Sequence, residues 1–153
     1  MQSRIANAND VPQIIQLFRG TITTVNSKDY TSEQTTVWSS RGADASKWIV
    51  KMSEQYFIVL EEQSAIIGFA SLTTSGYLDF MYVHKDHQRR GIASMLLKGL
   101  EDKAHQLNIH EIISDVSITA KPFFLSKGFK VLTQQSVNID AVALTNFKMR
   151  KEI

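Results

Sequence analysis

The chain has 153 residues, 43% of them hydrophobic and 21% charged, with 17 basic and 15 acidic side chains for a formal net charge of +2. That length fits one domain, and the dispersed, nearly balanced charge argues against a dedicated nucleic-acid or membrane-surface protein, which concentrates cations on one face. The absence of cysteine excludes a disulfide framework, a thiolate metal site and a cysteine nucleophile, and no apolar run approaches the length that spans a bilayer, so a cytoplasmic protein is expected.

Taken in order, residues 4–8 read as a short strand, and Asp10 then stands where a helix N-cap belongs, with Pro12 in the first turn. Val11, Ile14, Ile15, Leu17 and Phe18 recur at helical spacing and predict a helix to about residue 23. The polar segment 24–42 carries Tyr30, Val37 and Trp38 as its large side chains and has room for a short helix over 31–39. Residues 45–55 predict another helix, with Trp48, Ile49 and Met52 on one face.

The period then shortens. Residues 56–60 are an apolar run of β-formers, 61–64 a polar turn, 65–73 a second strand and 77–83 a third, so three antiparallel strands follow one another. Past a polar loop, Ile92, Leu96, Leu100, Ala104 and Leu107 mark a helix over residues 90–107. A strand at 111–116 comes next, then a short helix capped by Thr119 with Pro122 in its first turn and Gly128 at its end. Strands at 130–137 and 143–149 finish the chain. The strand, helix, strand succession over 77–116 implies one parallel neighbour in an otherwise antiparallel sheet. The fold class is α/β of the α+β type: a mixed, mostly antiparallel sheet of about six to seven strands with helices on both faces, in one domain over residues 1–153.

The chemistry concentrates where the third strand meets the long helix. Gln88-Arg89-Arg90-Gly91-Ile92-Ala93 precedes a helix whose first-turn amides lack internal partners and sit at the positive end of the macrodipole. Gly91 permits close approach of an anion, and Arg89 and Arg90 add charge-assisted donors. The competing reading is a glycine that relaxes a tight turn between solvated arginines. His84 and His87, with Asp86 between them, have a metal-like spacing but no further ligand, so no metal is expected.

The same residues resemble a family. Gln88 to Ala93, after a strand ending Tyr82-Val83 and before Ser94-Met95-Leu96-Leu97, is similar to the acetyl-CoA loop of the GCN5-related N-acetyltransferases. Downstream, Ala120-Lys121-Pro122-Phe123-Phe124-Leu125-Ser126-Lys127-Gly128-Phe129 resembles that family's Ala-x-x-Phe-Tyr-x-x-x-Gly-Phe segment. The two motifs lie in the expected order; the likeness covers residues 66–131, and the closing Leu144-Thr145-Asn146-Phe147 looks like a bacterial subgroup with unassigned acceptors.

The resemblance implies the family's fold and acetyl-CoA as acetyl donor. Met81, Tyr82 and Val83 would offer strand backbone to the pantetheine arm, and Gln88, Arg89, Arg90, Gly91, Ile92, Ala93 and Ser94 would hold the pyrophosphate. An amine attacks the thioester directly, with a backbone N–H near Tyr82 as oxyanion donor. Two positions depart from the family. Its tyrosine general acid is Phe124 here, which leaves Ser126, a water or unassisted thiolate departure; its pantetheine-binding asparagine is Ser117 here. Asp79, a carboxylate in an apolar strand, reads either as the base or as the partner of a nearby cation. Alternation places Asp79, Met81 and Val83 on one face and Leu78, Phe80 and Tyr82 on the other unless a bulge intervenes. Tyr30 and Trp38, in the polar segment, would shape the acceptor pocket or anchor it to the core.

The expected activity is acetyl transfer to a primary amine of a small molecule. Protein lysine or N-terminal acetylation is the second reading, and a non-catalytic acyl-CoA-binding regulatory module is the third. No nucleic-acid or membrane partner is expected, and a homodimer is left open.

Overall fold

The computed structural model describes residues 1–153. In chain order the elements are β1 (Gln2–Ile5), α1 (Val11–Thr24), α2 (Ser32–Ser40), α3 (Ala45–Glu54), β2 (Tyr56–Glu62), β3 (Ala65–Leu72), β4 (Leu78–Val83), α4 (Ile92–Gln106), β5 (Glu111–Ser117), α5 (Lys121–Ser126), β6 (Lys130–Ile139) and β7 (Val142–Glu152). They form a mixed α/β layer in which two antiparallel sheets, ordered β1-β2-β3-β4 and β5-β7-β6, lie side by side.

Strands β2 and β3 are buried on both faces, which explains why their sequences run apolar without alternation. One cluster of buried side chains joins Ile58, Leu60, Ile67 and Ala70 to α4 and to Phe124 and Phe129. A second, on the other face, joins Phe57, Val59, Ile66 and Phe69 to α1 and Trp48. Gly68 sets the approach of α4, because a Cβ there would come within 2.8 Å of Ile92 Cγ2 and 3.1 Å of Leu96 Cδ1. The first turn of α4 is thereby seated against β3, beside the end of β4.

The expected parallel pairing reduces to one contact. Tyr77 and Ile113 form a single parallel bridge, backed by Ile113 N–H donating to the Gly76 carbonyl at 3.1 Å and Ser114 Oγ donating to the Leu78 carbonyl at 2.8 Å. Beyond Leu78 the two strands part. A bulge lies at the point of parting: Ser71 pairs with Phe80 and Leu72 with Leu78, which leaves Asp79 as the extra residue. A bulge bends and twists its strand and terminates pairing. It also breaks the alternation, since Leu78 packs in the α4 cluster with Met81 and Val83, whereas Phe80 and Tyr82 pack against the α1 cluster.

Several local expectations need correction. Asp10 takes the expected N-cap position of α1, but its side chain makes no bond to that helix; its carboxylate takes two hydrogen bonds from Arg4, each 2.8 Å, and one from the Asn7 amide that closes a capping box on the preceding 3-10 turn. Ile49 is 48% exposed, so the buried face of α3 is carried by Trp48 with Met52 beside it. Thr119 does not cap α5, because its hydroxyl donates instead to Asp29 Oδ2 at 2.8 Å. The short helix of the polar segment is present as α2, closed by a capping box between Thr31 and Gln34.

Candidate active site

The parting of β4 from β5 opens a cleft of about 650 Å³. Its walls come from β4, from the loop into α4, from β5 and the start of α5, and from the end of α1 with the connection behind it. Met81, Tyr82, Val83, Gln88, Arg89, Gly91, Ile92, Ala93, Ser94, Ser117, Phe124, Asp79 and Trp38 all line it. Residues separated by more than half the chain are thus brought onto one surface.

The β4 wall is an unpaired strand edge. His84 N–H donates to the Ile67 carbonyl at 2.9 Å, and because hydrogen-bonded and non-bonded pairs alternate along an antiparallel ladder, Tyr82 and Phe69 form the next bonded pair. The Tyr82 amide is therefore spent inside the sheet, and the Met81 and Val83 amides face the cleft. The Val83 carbonyl confirms the direction, since it accepts from Thr21 Oγ1 and Gln88 Nε2, each at 2.8 Å, rather than from β3. Of the backbone amides near Tyr82, where an oxyanion donor is expected, those of Met81 and Val83 are the ones left free by the sheet. The Tyr82 ring packs against Phe18 and Phe69, and burial pushes its phenol up from the ordinary value.

The loop wall has free amides at a helix start, the geometry that suits an anion. Arg89 and Gly91 both have left-handed backbone, φ 61° and 78°, which turns successive amides toward one side. Gly91 takes the N-cap position of α4 without a side-chain cap, and the first intrahelical bond is Met95 N–H to the Gly91 carbonyl, so the Ile92, Ala93 and Ser94 amides have no helical acceptor. No heavy atom lies within 4 Å of where a Gly91 Cβ would sit. Arg90 does not join this wall: its guanidinium pairs with Glu62 at 2.9 Å and contacts His87 Nδ1 at 2.7 Å.

Asp79 meets Lys51 Nζ at 2.9 Å and Gln55 Nε2 at 2.7 Å, both on Oδ2, with its side chain 19% exposed. The bulge aims it at α3 while leaving it on the cleft wall. Ion pairing, one of its two readings, is thus observed, and neither donor engages Oδ1. Across the cleft Asp115 accepts from Tyr77 Oη at 2.5 Å and from Gln135 Nε2 at 2.8 Å. Burial raises the Asp115 carboxyl, but these bonds and Lys148 hold it below its ordinary value.

Two expected contributors are elsewhere. Tyr30 is 7% exposed and off the cleft wall; its hydroxyl donates to the Thr145 carbonyl at 2.6 Å and accepts from the Ile118 amide at 2.9 Å. It is a clamp between segments, with Trp38 stacked edge-on against it at 5.3 Å. Ser126 donates to the Phe123 carbonyl at 2.6 Å and lies outside the cleft, so it is no substitute for the missing acid. Phe124 presents a ring only 4% exposed, held edge-on to Phe129 at 4.9 Å. Thr21 and Asn26 were missed: both are buried polar residues on the cleft wall, and nothing in their local sequence distinguishes them from other polar helix-end residues.

A second hollow of about 590 Å³ lies at the opposite end of β5. There Arg150 pairs with Glu111 and Glu152, so its charges are internally satisfied.

The chain is similar to known proteins in sequence and in fold. The family described as an acetyltransferase (GNAT) domain matches residues 26–152. The chain is 33% identical over 150 residues to the uncharacterized N-acetyltransferase YafP of Escherichia coli (strain K12), covering 98% of this chain and 95% of that one. Among solved structures, a GCN5-related N-acetyltransferase (aminotransferase, class-II) from Rhodopseudomonas palustris aligns with a TM-score of 0.96 at 28% identity, over 99% of this chain and 95% of that one. The PaiA N-acetyltransferase of Thermoplasma acidophilum in complex with coenzyme A shares the fold, with a TM-score of 0.83 at 19% identity over 99% and 98% of the two chains.

Proposed function

Since the chain belongs to the GCN5-related N-acetyltransferase family, we propose that it moves the acetyl group of acetyl-CoA to the primary amine of a small molecule. The observation that carries this reading is that an unpaired strand edge and an uncapped helix N-terminus open onto the same cleft. A chain carrying amides at one end and a pyrophosphate at the other matches both: the edge amides of Met81 and Val83 take its carbonyls, and the Ile92 to Ser94 amides, with Arg89, take the phosphates.

The amine nitrogen attacks the thioester carbon, and the oxygen, gaining negative charge, is stabilised by an edge amide, Met81 or Val83. The C–S bond then breaks, the acetyl group leaves on nitrogen, and the thiolate is protonated through a water that is itself restored by the proton the amine has lost, because Phe124 has none to give. Asp79 Oδ1 receives the proton lost by the amine, directly or through water. Trp38 closes the acceptor side. The small acceptor is favoured over a peptide because Asp29–Thr119 and Tyr30–Ile118 tie the α1–α2 connection across the cleft, which fixes that wall against opening for a longer chain.

The test is release of CoA thiol with matched panels of small amines and of lysine or N-terminal peptides. Turnover confined to small amines is expected. Turnover confined to peptides would replace the acceptor, and CoA binding without turnover on either panel would replace the enzyme by a binding module.

A further inference from the structure

Two buried side-chain atoms lack a hydrogen-bond partner, Gln55 Oε1 and Ser71 Oγ, and both belong to the surroundings of the β4 bulge. Ser71 is fully buried in β3 and pairs with Phe80, the residue after Asp79. Gln55 reaches Asp79 itself, its Nε2 donating to Oδ2 at 2.7 Å. Buried polar groups are as a rule satisfied, and the exceptions gather where function overrides local stability.

Gln55 stands where α3 ends. Its amide closes the helix on the Lys51 carbonyl at 3.0 Å, and its extended backbone, φ −124° and ψ 156°, leads directly into β2. The side chain is thus fixed at its root. An ionised carboxylate only accepts, so the carboxamide turns Nε2 toward Asp79 and leaves its own oxygen buried without a donor. Such an acceptor costs stability, and an apolar side chain of similar length would not carry that cost. The hydrogen bond to Asp79 is what the arrangement secures.

We infer that Gln55 is a positioning residue for acyl transfer, its carboxamide pinning Asp79 Oδ2 against the end of α3 so that Oδ1 is the oxygen turned to the acceptor. This rests on the acetyl-transfer reading above, with Asp79 as its base. Lys51 also reaches Oδ2, at 2.9 Å, but its side chain is 41% exposed, and a hydrated ammonium on a flexible four-carbon stem fixes a direction poorly. Gln55 is neutral as well as anchored, so it orients the carboxylate without adding a second positive charge that would make it a weaker base. Gln55 does not line the cleft, and it therefore acts through Asp79 rather than on the acceptor.

The experiment measures CoA thiol release from acetyl-CoA with the fastest acceptor of the small-amine and peptide panels, for Gln55→Met and Gln55→Leu, each made in the wild-type protein and in Asp79→Asn. In the wild-type background kcat should fall about tenfold, the loss of one hydrogen bond to a charged group, with KM for acetyl-CoA unchanged. In Asp79→Asn the same substitutions should change kcat by less than about twofold, because the base they position is already gone. The melting temperature without ligand should hold or rise, since a buried acceptor without a donor has been removed. Unchanged kcat of both variants in the wild-type background overturns the inference. So does an equal fold-loss in the two backgrounds, or a drop of several degrees in the melting temperature of both variants, because the carboxamide is then structural. Wild-type kcat in Asp79→Asn is a separate result that removes Asp79 as the base and the inference with it, and no thiol release by the wild-type protein with any acceptor overturns the acetyl-transfer reading itself.

Discussion

At Gly91 the backbone is left-handed, φ 78°, and open space surrounds the position of a Cβ. A side chain there is strained but not excluded, so the effect of a substitution depends on what it carries into the cradle. Gly91→Glu sets a carboxylate against the phosphate site, and like-charge contact costs several kcal/mol; CoA affinity should fall by at least about a hundredfold in a folded protein. Unchanged affinity by calorimetry would remove the pyrophosphate from this loop. Phe124→Tyr tests the opposite case, a group that is absent. With the ring on the cleft wall, an added hydroxyl should raise kcat toward the roughly 10²-fold that a general acid contributes at its low end, with KM for acetyl-CoA little changed; an unchanged kcat would show that the thiolate leaves unaided. The shape of the loop was legible because a left-handed glycine ahead of an amphipathic helix is set by local sequence. The sequence did not reveal the partners of Tyr30 and Arg90, because they are remote, Ile118 and Thr145 for Tyr30 and Glu62 for Arg90.

Among the elements, β4 has the most consequence, and its decisive feature is a single extra residue. The bulge at Asp79 is a property of the pairing with β3, so the β4 sequence alone left alternation as the default and put Leu78 on the wrong face. Helices were more legible than strand pairings, since their spacing and caps lie within one segment. α2 illustrates this: its Thr31–Gln34 capping box holds a short helix with little apolar surface of its own. Thr31→Ala should therefore cost about 1 kcal/mol of stability, read as a lower urea midpoint. It should also loosen the wall that carries Asn26 and Trp38, so KM for the acceptor should rise more than KM for acetyl-CoA. A stability loss with both constants unchanged would separate α2 from the site.

The whole molecule is two sheets held at a splay by helices on both faces, and its N-terminus is locked by charge. Arg4 pairs with Asp10, whose side chain is 7% exposed, and reaches Glu61 on β2. The Arg4 hydrogen bonds hold the Asp10 carboxyl below its ordinary value of 3.8, against the opposing effect of burial. A depressed folded-state value means stability that is fully present above the unfolded value and lost as pH falls through the folded one. Arg4→Met should accordingly lower stability by about 1–2 kcal/mol at neutral pH, with the difference from wild type closing once the pH is well below 3.8; urea midpoints of both proteins across that range measure it. The central claim is that the parted strands hold acetyl-CoA, and backbone amide chemical shifts on titrating CoA test it most directly. The Met81, Val83, Ile92, Ala93 and Ser94 amides should move most, and the Tyr82 amide, bonded within the sheet, should move less than its two neighbours. Largest shifts instead around Asn108, Glu111 and Arg150, at the hollow beyond β5, with the β4 edge unmoved, would contradict it.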